Sequence, residues 1–214
     1  MDFQDFSKQI PKIKNLPLPG ESSHHKMAPL DRIKELKALN VERQAPKKAG
    51  VMALFYPDDR YHTHLLLILR KTYPGVHSNQ IGFPGGKEER GDANILETAL
   101  RETEEEVGVD LKKVQVLRPL SEIYIPPSNF EVYPYLGLYQ KESPFRLQES
   151  EVEALVEVSL DHFMDDRNLI NQRLTTSYSQ GKVPVPAFKL NGYTVWGATA
   201  MMLMEVKELF KRVL

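Results

Sequence analysis

Two strand-length apolar runs stand out in the chain, residues 50–56 (GVMALFY) and 64–70 (HLLLILR), separated by the turn Pro57-Asp58-Asp59-Arg60. Runs of this length bounded by turn residues predict β-strands. Further strands are predicted at 114–120, 131–139 and 154–159, with short ones near 183–188 and 193–195. Elsewhere the spacing becomes helical. Over 93–107, Leu96, Ala99, Leu100, Thr103 and Val107 share one arc at about 100° per residue, and Gly108 is the stop. Residues 197–213 form a final helix, and Leu30, Ile33, Leu36 and Leu39 mark a short amphipathic one at 29–39. Residues 1–28 carry Pro11, Pro17, Pro19 and Gly20, which predicts an irregular arm on the surface or on a partner. The mixed order of strands and helices predicts an α/β fold, a sheet sandwiched by helices. The arm and short helix occupy 1–44 and the main domain 45–214.

Composition narrows the options without choosing among them. With 214 residues, 41% hydrophobic and 27% charged, the chain can bury one sizeable core. The formal charge of −1 gives no global basic field for nucleic acid or anionic lipid. No cysteine is present, which excludes disulfides, thiolate nucleophiles and cysteine-based zinc sites, and fits a reducing cytoplasm. The longest apolar runs, 51–56 and 65–69, are far too short for a bilayer. The expectation is a cytoplasmic enzyme, monomeric or a homodimer, with a small-molecule substrate and neither nucleic acid nor membrane as partner.

The chemistry gathers on helix 93–107. Glu102, Glu105 and Glu106 occupy about a quarter turn beside the apolar arc. Crowded carboxylates repel each other unless cations neutralise them, and hard divalent ions such as Mg²⁺ take oxygen ligands of this kind. A solvated acidic face is the plain alternative for such a cluster taken alone. What singles this one out is its setting, a Gly85-Gly86 turn, Asp92, Arg101-Glu102, Glu105-Glu106 and Val107-Gly108-Val109 in fixed order.

That combination resembles the Nudix box, the signature of hydrolases that cleave nucleoside diphosphates linked to another moiety. The chain departs from the usual box in three ways. Asp92 replaces a Glu, one extra residue precedes Arg101, and Thr103 takes an aliphatic position. The resemblance implies a Nudix-type α/β/α sandwich with a mixed β-sheet. It also implies Mg²⁺ or Mn²⁺ held by Glu102, Glu105, Glu106 and a carbonyl of Gly85 or Gly86, with Arg101 orienting a carboxylate. The general base is Glu105 or, from a later loop, Glu149, Glu151 or Glu153.

Just upstream, residues 65–86 (LLLILRKTYPGVHSNQIGFPGG) resemble the motif of the coenzyme A pyrophosphatase branch, through Leu66, Leu67, Arg70, His77, Gln80, Phe83, Pro84, Gly85 and Gly86. Ile68, Lys71 and Asn79 depart from it. The implied substrate is coenzyme A or acyl-CoA, with Arg70, His77, Gln80 and Phe83 as substrate-binding candidates. Its 3′-phosphate calls for a cation, with Arg70, Lys71, Lys47 and Lys48 in view, and Tyr124, Phe130 or Tyr133 could stack on adenine. A broader pyrophosphatase acting on ADP-ribose or NADH and a non-catalytic Nudix-fold binding module are the competing readings. Trp196, Met201, Met202 and Met204 read as packing.

Overall fold

Strand β1 (Lys47–Pro57) is buried along all but its first two residues, because it lies inside a sheet covered on both faces. In the computed structural model, residues 1–29, 45–71, 80–176, 179 and 181–214 are described. The helix expected at 29–39 therefore lies, apart from its first residue, outside the described residues.

On one side β1 pairs in parallel with β7 (Phe130–Tyr139). On the other it pairs antiparallel with β2 (Thr63–Arg70) at its far end and with β4 (Gly85–Lys87) at its near end. Short β3 (Ile81–Gly82) and β8 (Val152–Ser159) pair with β2, while β5 (Val114–Pro119) and β6 (Ile123–Ile125) pair with β7. The sheet is thus mixed, as expected.

Alternation along β1 and β2 sends side chains into two separate cores. Met52, Leu54, Tyr56, Leu66 and Ile68 face α3 (Ile95–Val107). Ala53, Phe55, Leu65 and Leu67 face the other way, among Phe6, Leu203, Leu209 and Phe210. Those residues belong to α1 (Phe3–Asn15) and α5 (Gly197–Phe210). Between β8 and α5 run α4 (Leu160–Met164) and an antiparallel three-stranded sheet of β9 (Leu169–Thr175), β10 (Lys182–Leu190) and β11 (Tyr193–Trp196). Pro184 and Pro186 fall in the half of β10 that β11 does not reach, where a missing donor is tolerated. No helix among the described residues is long and apolar enough to cross a membrane.

The irregular arm expected at 1–28 is instead largely helical. Asp2 caps α1 by accepting from the amides of Gln4 (2.8 Å) and Asp5 (3.2 Å). Phe3, Phe6, Ile10 and Ile13 then line one helical face and are buried, while Pro11 sits on the exposed face. Arg118 closes the helix from the sheet, its Nη1 donating to the carbonyls of Ile13, Lys14 and Leu16. A second helix, α2 (Glu21–His25), is fastened to α5 through Glu205, which is fully buried. Glu205 Oε1 accepts from the Gly20 amide (3.0 Å) and Ser121 Oγ (2.6 Å), and Oε2 from the Ser121 amide (3.0 Å). His24 Nε2 lies 3.4 Å from Oε2, in ion-pair range but without hydrogen-bond geometry.

Candidate active site

Helix α3 begins at Asn94, whose side chain accepts from the amides of Leu96 and Glu97, both at 3.1 Å. Its apolar arc packs so closely on β1 that a Cβ at Gly50 would overlap the Ile95 carbonyl and sit 2.8 Å from the Ala99 nitrogen. Thr103, at the box's aliphatic position, is buried and donates its hydroxyl to the Ala99 carbonyl at 2.6 Å. Burial of the three glutamates follows their angle from this arc. Glu106, about 60° from Thr103, is fully buried; Glu102, about 100° away, is half-buried; Glu105, about 160° away, is exposed.

Glu106 is gripped from two sides. Its Oε2 accepts from the Gly85 amide at 2.7 Å and its Oε1 from Arg70 Nη1 at 2.9 Å, while Arg70 Nη2 donates to the Gly85 carbonyl at 2.5 Å. Burial pushes its carboxyl up to about 7, against the opposing pull of Arg70 and the Gly85 amide. Arg70, a substrate-binding candidate from the sequence, therefore has its two terminal nitrogens on the acidic site itself. Glu102 lies against Gly86, where a Cβ would displace its carboxylate from its present place. Burial raises the Glu102 carboxyl too, outweighing Arg101.

Arg101 is a clamp. It donates to both oxygens of Asp92 (2.8 and 3.0 Å) and to Glu102 (2.9 Å), with Glu105 at 3.4 Å. Asp92 also accepts from Thr98 Oγ1 and the Glu89 amide, and the Arg101 contact leads in holding its carboxyl well below the usual range. The box's displaced acidic residue thus anchors the arginine.

A third carboxylate arrives from the loop before β8. The loop crosses the C-terminal end of α3, where the Arg146 amide donates to the Val107 carbonyl (2.9 Å) and the Gln148 amide to that of Glu106 (3.0 Å). Gly108, at φ 69°, ends the helix beneath it, and a Cβ there would sit 2.8 Å from Arg146 Cβ. The Glu151 carbonyl then accepts from the Lys71 amide at 2.8 Å, which sets Glu151 beside the end of β2. One carboxylate oxygen from each of Glu102, Glu106 and Glu151 lies within 4.8 Å of the others. Glu105, Glu149 and Glu153 are not in this group. Three convergent oxygen donors, one of them buried, against a glycine turn that admits no side chain suit a hard divalent cation.

Beside the cluster opens a cavity of about 320 Å³. Arg70, Gln80, Gly85, Gly86 and Lys87 line it together with the apolar Phe83, Ile125, Phe130, Val132, Trp196 and Met202. Gln80 and Phe83, candidates from the sequence, both line it, and His77 lies outside the described residues. Of the three aromatic candidates for stacking, Phe130 lines the cavity. Tyr124 donates its hydroxyl to Asn129 and Tyr133 to Glu131. Trp196 and Met202 were read from the sequence as packing residues. Their wall role was hidden because Trp196 ends β11 and Met202 lies in α5, far along the chain from the glutamates.

Residues 46–177 match the model of the NUDIX domain. The chain is 31% identical over 153 residues to an uncharacterised Nudix hydrolase, NudL, of Yersinia enterocolitica, covering 67% of this chain and 72% of that protein. It is 30% identical to Nudix hydrolase 22, chloroplastic, of Arabidopsis thaliana, over 76% of this chain and 55% of that one. The chain spans little over half the length of this plant relative and of Nudix hydrolase 15, mitochondrial. A MutT/nudix family protein from Enterococcus faecalis superposes with a TM-score of 0.52 over 93% of this chain and 75% of its own, at 18% identity, which shows the shared fold. Glutamate helix, glycine turn, sheet order and family match agree, and the chain belongs to the Nudix family.

Proposed function

We propose that this chain is a divalent-metal-dependent Nudix hydrolase that cleaves the diphosphate of coenzyme A or acyl-CoA into 3′,5′-ADP and 4′-phosphopantetheine or its acyl form. The observation that carries the reading is a junction. The turn that holds Glu106 and accommodates Glu102 is the same turn that lines a largely apolar cavity. A charged bridge and an organic group attached to it thus find complementary surfaces side by side. The segment 65–86, with its resemblance to the coenzyme A branch, supports that substrate over ADP-ribose and NADH. A non-catalytic module would be expected to lack an acidic residue of the box, and Glu102, Glu105 and Glu106 are all present.

Glu102 and Glu106, with the Gly86 carbonyl, would hold Mg²⁺ or Mn²⁺, and Glu105 adds negative charge on the solvent side of the arc. Such an ion, when bound, offsets the charge of the diphosphate and acidifies a water. The protein's own groups do the positioning. Arg101, braced by Asp92, fixes the Glu102 carboxylate, and Arg70 with the Gly85 amide fixes that of Glu106. Glu151 is exposed and belongs to the acidic group, which suits it to accept the proton of an attacking water. The other candidate bases lack that placement.

A product assay with Mg²⁺ or Mn²⁺ and a panel of CoA, acyl-CoA, ADP-ribose and NADH tests the reading. Coenzyme A should exceed ADP-ribose in kcat/KM. The reverse order would remove the substrate assignment while leaving the family intact.

A further inference from the structure

We infer that Lys47, beside Phe130, and Lys87, one strand beyond Lys47 on the same sheet face, form at the rim of the cavity a subsite for a phosphate monoester on the nucleoside end of the substrate. On the coenzyme A reading, on which this inference rests, that group is the 3′-phosphate of the adenosine half.

Strand register supplies the geometry. Ala49 lies opposite Lys87 in the β1–β4 ladder, and Lys47, two residues earlier, shares the face of Ala49. On the other side Lys47 lies opposite Phe130 and Ala49 opposite Val132 in the parallel β1–β7 pair. Ala49, Lys87, Phe130 and Val132 all line the cavity, so this face of the sheet is its floor. The Lys47 ammonium lies 5.8 Å from the centre of the Phe130 ring. Lys48 has the opposite parity and packs over Tyr133 instead, at 6.0 Å, which removes it from the rim.

Charge at this rim is available to a ligand. Lys26, Lys113 and Lys211 are engaged by Glu208, Glu142 and Asp166. Among the described residues neither Lys47 nor Lys87 ion-pairs with a carboxylate. Arg70, the other cation of the cavity, is held by Glu106 and the Gly85 carbonyl. Two ammonium groups without a carboxylate partner among the described residues, beside an apolar wall, suit a dianionic phosphate, which lysine binds as a point charge. Spacing agrees as well. Lys87 adjoins Gly86 of the acidic site, and Lys47 is two strand residues beyond Lys87, about 7 Å farther along. Four-carbon stems can close a step of that order, so both ammonium groups can meet one phosphate set beyond the diphosphate.

The test compares CoA with 3′-dephospho-CoA, which differs only in the group concerned. Wild-type protein should favour CoA in kcat/KM by about tenfold or more. Lys47→Met and Lys87→Met should each reduce that preference several-fold, and the double variant should bring the two substrates close to parity. Lys47→Arg should retain most of the preference. Calorimetric titration without metal gives a second readout: 3′,5′-ADP should bind wild-type protein more tightly than 5′-AMP, and the double variant should bind them alike. If CoA is cleaved but wild-type protein does not distinguish it from 3′-dephospho-CoA, or the variants keep the full preference, the subsite falls and the hydrolase reading stands. If CoA is not cleaved at all, the substrate reading fails, and the nucleotide titration then decides the subsite by itself.

Discussion

Replacing Glu205 by alanine should destabilise the protein severely, although the residue lies away from the acidic cluster. Its carboxylate is fully buried and accepts from the amides of Gly20 and Ser121 and from the Ser121 hydroxyl. Truncation leaves two backbone donors without an acceptor, at about 1–3 kcal/mol each. Removing one member of a buried charged cluster costs about 3–5 kcal/mol by a separate measure. The two ranges meet near 4 kcal/mol. For a chain of this size that lowers Tm by about 8–16 °C. Thermal unfolding followed by circular dichroism at neutral pH reads it directly, and Glu205→Gln, which keeps one acceptor oxygen, should lose about half as much. The pH dependence has a definite sign. Burial raises the Glu205 carboxyl, but the His24 imidazole and the Ser121 donors more than offset it, so it sits below its ordinary value of 4.5. Its contribution is therefore complete above pH 4.5 and lost as pH falls through the lower folded-state value. The gap between wild type and Glu205→Ala should narrow on that descent. A Tm change under about 2 °C, or a gap that stays constant into strong acid, would refute the role given to this carboxylate.

Three further outcomes are expected. Glu106→Gln should lower turnover by about three orders of magnitude while leaving the circular dichroism spectrum intact, since several kcal/mol of charge stabilisation would go with the carboxylate; near-normal activity with Mg²⁺ would end the assignment. Glu151→Gln should cut kcat at least tenfold, with Glu149→Gln and Glu153→Gln close to wild type, and equal effects of all three would show that the loop acts only through its net charge. Gly50→Ala should cost about 1–3 kcal/mol or more in urea unfolding, because its Cβ meets the Ile95 and Ala99 backbone, which cannot yield as a side chain would; an unchanged midpoint would contradict the close fit of α3 on β1.

Much of the fold was legible because its strands are long apolar runs, and the period of α3 placed Ala99, Thr103 and Val107 inward. The N-terminal helix was obscured by proline. Pro11 argued for a break, yet the spacing of Phe3, Phe6, Ile10 and Ile13 carries a helical stripe, and the proline is accommodated on the exposed face. Strand β9 was missed because its middle, Asn171-Gln172-Arg173, is polar and exposed, so no apolar alternation marks it. At the candidate site the helix register ordered the glutamates, but pairings between distant segments left no local trace. Arg70 on Glu106 and Glu151 in the acidic group depend on where β2 ends and how a loop is hung.

That loop has a consequence for how such a protein can vary. Two of the clustered carboxylates are built into one rigid helix, whereas the third is delivered by a stretch of chain moored to the end of that helix at Arg146 and Gln148. Glu151 is also tied to the end of β2 through the Lys71 amide, so adding or deleting a residue between Gln148 and Glu151 would strain one of the two attachments. The length of this loop is thus held from both ends, by the helix and by the sheet, and the third carboxylate can change place only if one of those holds gives way.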